Sequence, residues 1–512
     1  MKSAQGRSGG ILCIWKSDVF TMKKTLDGTG YCGVFGFWGK EEVPCYFINV
    51  YSPCEKQEKR KLWAELLELI QEHGGGNWCI GGDFNAIRFK EERQGRWYDS
   101  GEMREFNKFI QDRELIEIPL IGKRFTWVKV DGSAMSKLDR FLMSEEFLLN
   151  FPNVSQRALK RDLSDHCPIL LKNTEADWGP KPFRSLDCWL QHENFEDFVK
   201  DKWSSFEVEG RGGVKLKEKL KKLKQELKIW NREVFGHIEK NIEEAKEEIN
   251  RLDEKGEVEQ LADVQVAKRN DCMHKLWIWN ERRDSLLYQK ARQKWLKEGD
   301  ANSKFFHGSI VKRRKQNKLE GVLKDGEWME GVPQVKAHIR DCFQSKFDDE
   351  EWKRPRIDHI RFKQLTIEEN TQLLAEFTEE EIKAAVWDCD SNKSPGPDGF
   401  NFNFIKQMWP VLKEDICEFM AEFHATGKMA RGSNASFIVL IPKKGQPMNL
   451  GDYRPISLIG CMYKILSKAL ANRMRKVMNM IISCNQTAFI RGRQIADGIV
   501  ITNEVIQEAK KT

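Results

Sequence analysis

Three short segments of this chain carry side chains suited to phosphate chemistry, and each borders an apolar run. Gly81-Gly82-Asp83-Phe84-Asn85 follows Trp78-Cys79-Ile80, so a carboxylate and a carboxamide come just past the carboxyl end of a short strand and on one side of it. Taken alone, Gly-Asp-x-Asn is also an ordinary turn. Ser136 to Ser144 is a strand-like run with Asp139 inside it, and Ser164-Asp165-His166-Cys167-Pro168-Ile169 sets an acid and an imidazole before another apolar stretch. Together they supply what phosphodiester hydrolysis needs. Carboxylates can hold a divalent cation or activate water, an amide can position phosphate, and an imidazole can stabilise the charge on a pentavalent phosphorus.

A second group is basic. Ile441-Pro442-Lys443-Lys444 and Tyr453-Arg454-Pro455-Ile456-Ser457-Leu458 put cations beside a strand and in the segment after it, and Lys464, Arg473 and the Arg491-Gly492-Arg493 turn follow. Cations of this kind suit a nucleic-acid backbone or a triphosphate, although charge alone describes a solvated helix equally well.

The elements that must hold these groups fall into three regions. Up to residue 172, apolar runs such as Gly10 to Trp15, Cys45 to Tyr51 and Trp78 to Ile80 alternate with Gly, Asn, Asp and Pro, the pattern of strands and turns. Leu62, Trp63, Leu66, Leu69 and Ile70 recur at helical spacing between two of them, so a crossover helix joins two buried strands in a layered α/β domain. Residues 173–356 turn to long, charged helical pattern. Leu216, Leu220, Leu223, Leu227, Trp230 and Val234 form a coiled-coil-like seam, Gly236 interrupts it, and Ile238, Ile242, Ala245, Ile249 and Leu252 continue it. This reads as a solvated helical spacer whose seam pairs within one chain or between two. From 357 the pattern is globular again: Thr378 and Glu381 make a capping box with Phe377 and Ile382 as its staple, Ser394 to Gly399 is a turn, and Phe437 to Pro442 is a buried strand.

Length and composition are consistent with several domains. A chain of 512 residues exceeds what one core usually serves, and a net charge of +7 permits a polyanionic partner without requiring one. The 13 cysteines include no C-x-x-C pair, which argues against a zinc or disulfide framework and favours a reducing compartment. No apolar run approaches the roughly 18 residues of a membrane span, so nucleus or cytoplasm is expected and no membrane partner.

Tyr51-Ser52-Pro53, Gly82-Asp83-Phe84-Asn85, Phe125-Thr126-Trp127, Leu138 to Leu142 and Ser164 to Pro168 resemble, in order, the motifs of the endonuclease/exonuclease/phosphatase family in its apurinic-endonuclease-like branch. Lys393 to Gly399, Ile441 to Lys444, Tyr453 to Leu458 and Gln486 to Arg493 resemble the early motifs of non-LTR reverse transcriptases, and Trp295 to His307 resembles the linker of such elements in plant genomes. The chain as a whole is therefore similar to the polyprotein of a LINE-type (non-LTR) retrotransposon. That resemblance implies a multidomain α+β protein. Its parts are a layered α/β sandwich over 1–172, a charged helical linker over 173–356 and a reverse transcriptase fingers portion over 357–512.

By the same resemblance Asp83 orients the attacking water, Asn85 the scissile phosphate, and Asp165 helps bind Mg2+. His166, oriented by Asp139, faces the phosphate, and Tyr51 contacts it. Arg454, Arg473 and Arg493 are the expected template or nucleotide contacts, with DNA and RNA as partners. The family pattern also carries an amino-terminal Gln-Glu pair whose glutamate binds metal, and polymerase aspartates in a Tyr-Ala-Asp-Asp hairpin; neither occurs here. The expectation is a protein incomplete at both ends, with weakened Mg2+ binding and with DNA nicking and RNA-templated synthesis lost or impaired. Two alternatives stay open: a non-catalytic nucleic-acid-binding or interaction module, and a phosphodiesterase of another substrate class.

Overall fold

In the amino-terminal part, three strands, β1 (Phe20–Gly28), β2 (Tyr31–Trp38) and β3 (Val43–Tyr51), pair antiparallel. Helix α1 (Lys56–His73) then carries the chain across to β4 (Asn77–Asp83), which lies parallel to β3, a pairing that needs such a crossover. In the computed structural model, residues 1–3, 10–95, 100–173, 177–291, 303–348, 363–445, 447–483 and 486–510 are described. Residues 295–302 of the linker-like phrase lie outside them.

Strand β4 shows why this region is layered. Trp78 and Ile80 pack with Leu62, Trp63 and Leu66 of α1 and with Phe106 and Phe109 of α2 (Ser100–Asp112). Cys79, one residue out of phase, faces the other way and joins Met143, Phe147 and Val154 in a separate cluster. The chain continues through β5 (Arg93–Gln94), β6 (Ile116–Glu117), β7 (Leu120–Ile121), β8 (Trp127–Val128), β9 (Met135–Ser136), β10 (Asp139–Met143), α3 (Glu145–Asn150), β11 (Val154–Ala158) and β12 (Ile169–Asn173). The main sheet runs β1-β2-β3-β4-β10-β6, with smaller sheets β12-β11-β7 and β5-β9-β8.

These elements belong to one compact unit, Met1–Pro180 with Asn302–Asp348 and Leu440–Pro455. The later pieces bring α8 (Ser303–Asn317), the hairpin β13 (Val322–Lys324) and β14 (Glu327–Met329), and α9 (Val332–Phe347). Gly10 to Trp15 does not form the expected strand. Ile11 makes only an isolated bridge to Lys2, while Leu12 and Ile14 are exposed, since no ladder of described residues extends along them.

The other unit comprises Lys181–Ala301, Asp349–Val439 and Ile456–Thr512. It holds α4 (Phe195–Ser205), α5 (Gly212–Trp230), α6 (Ile238–Val258), α7 (Asp263–Ala291), α10 (Ile367–Leu374), α11 (Glu379–Trp387), α12 (Phe402–Gln407), α13 (Trp409–Thr426), α14 (Cys461–Ile481) and α15 (Ile495–Ala509). The seam of α5 is not a solvated spacer. Leu216, Leu220, Leu223, Leu227 and Trp230 are buried in one cluster with Leu412, Ile416, Phe419 and Met420 of α13. Val234 leaves the seam, at 56% exposure, and Phe235 takes its place at 2%. A π-helical turn over Asn231–Phe235 adds the extra residue that shifts the phase by one.

Two further expectations change. Thr378 caps α11 by accepting from the backbone N–H of Glu381, but the Glu381 carboxylate is held by Arg473 instead of closing the box. Strand β15 (Ser436–Pro442) forms, yet Phe437 and Ile438 are exposed. Among the described residues it pairs only with β16 (Tyr453–Ile459) in a two-stranded ribbon, which buries little by itself.

Candidate active site

Register alone lines up the first three candidates. Tyr51 at the end of β3 is opposite Asp83 at the end of β4, and Asp83 is opposite Asp139 at the start of β10. Three neighbouring strands thus present Tyr51, Asp83 and Asp139 in a row at one end of the sheet, one strand spacing (about 4.8 Å) apart along the backbone. Gly82 permits the approach. Its φ is +137°, and a Cβ there would stand 2.0 Å from the Val50 carbonyl oxygen. Asn85 follows in the left-handed region at φ 47°, which an asparagine tolerates because its side chain bonds locally. Its backbone N–H donates to Asp83 Oδ1 at 2.9 Å and its Nδ2 to the Ser52 carbonyl at 2.7 Å, so the carboxamide is fixed with part of its donor capacity left.

Residues 165–167 reach the same end through short backbone contacts. Val128 donates to the Asp165 carbonyl and Cys167 to the Thr126 carbonyl. These place the imidazole so that His166 Nδ1 lies 2.8 Å from Asp139 Oδ2 and Nε2 lies 4.0 Å from Asp83 Oδ2. The sequence motif Phe125-Thr126-Trp127 now has a physical role. The buried Thr126 hydroxyl oxygen accepts from the backbone N–H groups of Leu138 and Asp139, both at 3.0 Å, and so sets where β10 begins. Trp127 Nε1 donates to Asp165 Oδ2 at 2.8 Å.

The electrostatics follow from burial and neighbours. Burial pushes the Asp83 carboxyl up to about 6, and the charge of Asp139 beside it adds to the effect. The hydrogen bond from His166 to Asp139 raises the imidazole, favouring its charged form. Asp165 goes the other way, lowered by the Trp127 N–H, and it is exposed.

Among the described residues, the ligand atoms of Asp83, Asp139 and His166 all lie within 4.8 Å of one another, close enough to share one cation. A hard divalent ion needs oxygen, and two carboxylates with water and substrate filling the rest is an ordinary magnesium arrangement, so the donor set fits. Asp165, the metal ligand expected from resemblance, is not one of the three. Behind the site, sequence reasoning missed a buried charge network. Arg140, adjacent to Asp139 and fully buried, pairs with Glu92 at 3.2 Å and Glu117 at 3.1 Å, and Arg88 joins Glu117 at 2.9 Å. Acids and bases roughly twenty to fifty residues apart carry no local signal that they meet.

The three expected nucleic-acid arginines have different fates. Arg454 is exposed on β16. Arg493 donates to the carbonyls of Ile482, Ser483 and Gln486, closing the loop before it. Arg473 is corrected to a structural residue. It is buried, its Nε and Nη2 hold Glu381 at 2.6 and 2.7 Å, and its other N–H groups cap the carbonyls of Leu373, Ala375 and Glu376. With five donors engaged, none remains for a phosphate.

Residues 45–170 match the family model described as Endonuclease-reverse transcriptase, and residues 441–512 that described as Reverse transcriptase (RNA-dependent DNA polymerase). The chain is a retrotransposon-derived protein of the non-LTR class with an endonuclease domain and a reverse transcriptase domain. It is 23% identical over 484 residues to the Transposon TX1 uncharacterized 149 kDa protein of Xenopus laevis, covering 91% of this chain but 36% of that relative. It is 28% identical over 126 residues to the Retrovirus-related Pol polyprotein from type-1 retrotransposable element R1 of Bradysia coprophila, covering 23% of this chain and 12% of that one. The chain thus spans well under half the length of these relatives. Among solved structures, an endonuclease/exonuclease/phosphatase family protein from Bacteroides thetaiotaomicron matches at 14% identity and a TM-score of 0.23, covering 30% of this chain and 65% of that one. Truncated Caenorhabditis elegans TDP2 matches at 17% identity and a TM-score of 0.18, again covering 30% and 65%. Likeness at that level fixes nothing about the site. The fold is mixed α+β, with a layered α/β endonuclease portion, a helical region and a partial reverse transcriptase portion.

Proposed function

We propose that the chain nicks DNA through a Mg2+-assisted site at Asp83, Asn85, Asp139 and His166, and that its reverse transcriptase portion contacts nucleic acid. The observation that carries this reading is the imidazole of His166, tied at Nδ1 to Asp139 with Nε2 directed to Asp83. Asp83, raised toward neutrality, accepts a proton from water as the water oxygen bonds to phosphorus and the bond to the leaving sugar oxygen breaks. The charged His166 stabilises the negative charge that gathers on the phosphoryl oxygens, and Asn85 and Tyr51 hold the phosphate. Asp83 and Asp139 would hold a divalent cation, which would supply Lewis-acid charge to that phosphate. Two clustered carboxylates bind such an ion weakly, so activity impaired at low Mg2+ belongs to this reading.

The test is nicking of supercoiled plasmid by the purified chain beside His166→Ala. Open-circle product that needs Mg2+ and falls by about a hundredfold or more in the variant is expected. A folded protein that never nicks would overturn the hydrolytic reading and leave the second one, binding alone, which exposed Arg454 favours. Binding to DNA or RNA that weakens with salt would then identify it.

The plant-type assignment of the parent element rests on the wording of residues 295–307. A nuclear or cytoplasmic location accords with the described cysteines, which are all free. Self-association through the seam is testable by sedimentation, and it would have to displace α13 from α5.

A further inference from the structure

Helix α1 buries one face, and that face does not begin with an apolar residue. Its buried positions are Lys59, Leu62, Trp63, Leu66 and Ile70, at the three-and-four spacing of a stripe turned to the core. The lysine that opens the stripe is 5% exposed. Local physics disfavours it there. Burial strips water from an ammonium, and the positive end of a helix repels a cation in its first turn. A methionine would fill the same stripe without either penalty, so the role of the ammonium lies in what it touches.

Lys59 Nζ donates to the Asn85 carbonyl at 2.8 Å and to Glu102 Oε2 of α2 at 3.1 Å. One side chain thus joins α1, the loop after β4, and α2. At Asn85 it completes the anchoring of every polar group. The backbone N–H donates to Asp83, the carboxamide to the Ser52 carbonyl, and the carbonyl accepts from Lys59. Asn85 holds a left-handed backbone at φ 47°, which a residue other than glycine keeps only where its surroundings fix it. The bond from Lys59 opposes the rotation of the following peptide that would release it.

We propose, on the nicking reading above, that Lys59 is a positioning residue for phosphodiester hydrolysis, holding the Asn85 carbonyl so that the carboxamide of the same residue stays aimed at the phosphate. Lys59 acts through Asn85, and Glu102 offsets its charge. Misplacing such a group by about an ångström costs up to about a hundredfold in rate, whereas a duplex held at many phosphates loses little affinity from one contact.

Steady-state nicking and amide hydrogen exchange of the full chain test this, on the parent, Lys59→Met, Lys59→Met with Glu102→Gln, and Lys59→Arg. Lys59→Met should lower kcat by at least about tenfold and leave KM for plasmid within about twofold. Adding Glu102→Gln removes the carboxylate that the first change strands, so the unfolding midpoint should recover while kcat stays low. Lys59→Arg keeps donors for both acceptors and should return most of kcat. The backbone amide of Asn85 should exchange at least about tenfold faster in both Met variants, with those of Cys79 and Ile80 unchanged. Recovery of kcat along with stability in the double variant, or unchanged exchange at Asn85, overturns the proposal and leaves Lys59 a strut between α1 and α2. A parent chain that never nicks overturns the hydrolytic reading instead, and exchange at Asn85 then decides by itself whether Lys59 positions the loop.

Discussion

Asp83 is the residue at which chemistry and stability pull apart. Its carboxyl titrates near 6 in the folded chain against 3.8 for a free side chain, mainly because it is buried. Between those two values the folded protein keeps a proton that the unfolded chain has released, so stability falls as pH rises through the window and stays lower above it. In the absence of metal, Asp83→Asn should therefore raise the unfolding midpoint at about pH 7.5, by at most roughly 2 to 3 kcal/mol, and leave it unchanged near about pH 3.5. A midpoint that does not move at the higher pH would mean that the carboxylate is better solvated or paired than its burial implies. The same substitution should abolish nicking, since an amide cannot take the proton from water. Stability gained where activity is lost is the usual mark of a site held ready for a ligand.

At the scale of elements, helices α5 and α14 had been given roles by charge pattern that packing reassigns. Arg473 ties α14 to Glu381 and to the chain ends around Phe377, whose ring lies 3.9 Å beneath the guanidinium. Removing one partner of a buried pair leaves the other charge uncompensated, so Arg473→Met should cost about 3 to 5 kcal/mol in denaturant unfolding. Its effect on nucleic-acid affinity should be no more than that loss of fold explains. Arg454→Ala, by contrast, should leave unfolding within about 0.5 kcal/mol and reduce the salt slope of nucleic-acid binding by about one. The reverse pattern would return Arg473 to the interface. In α5, Leu223 is fully buried against the α13 cluster, and Leu223→Ala should cost about 2 to 5 kcal/mol; a solvated spacer would lose almost nothing.

For the whole molecule, the two compact units have separate cores, one centred on Leu66, Ile80 and Phe106 and the other on Leu223, Phe404 and Phe419. Cores of this kind unfold as separate cooperative blocks when few interactions bind them together. Urea unfolding should show two transitions, Leu66→Ala shifting one midpoint and Leu223→Ala the other. A single transition moved equally by both substitutions would show that the units behave as one. The units are interleaved in sequence, with 302–348 and 440–455 returning to the first, so truncation at a linear boundary such as residue 172 or 356 should destabilise what it isolates.

The local pattern of the chain determined a good deal by itself. The helix of Leu62, Trp63, Leu66 and Ile70, the strand ends at Tyr51 and Asp83, the turn at Ser394 to Gly399 and the seam of α5 all follow from side-chain period and backbone sterics, which act within a few residues. The pairing of His166 with Asp139 was expected only from family resemblance, and the structure places the two within hydrogen-bond distance. Only tertiary structure decided what covers each apolar face and which partner each charge takes. Val234 gave way to Phe235 through one π-helical turn, and β15 stayed exposed for want of a layer. Thr126 became the anchor of Asp139, and Arg473 spent its donors on Glu381 and three carbonyls. Those outcomes depend on residues ten to a hundred positions apart, and a hydrogen-bond donor or an apolar face looks the same in sequence whichever partner it finally meets.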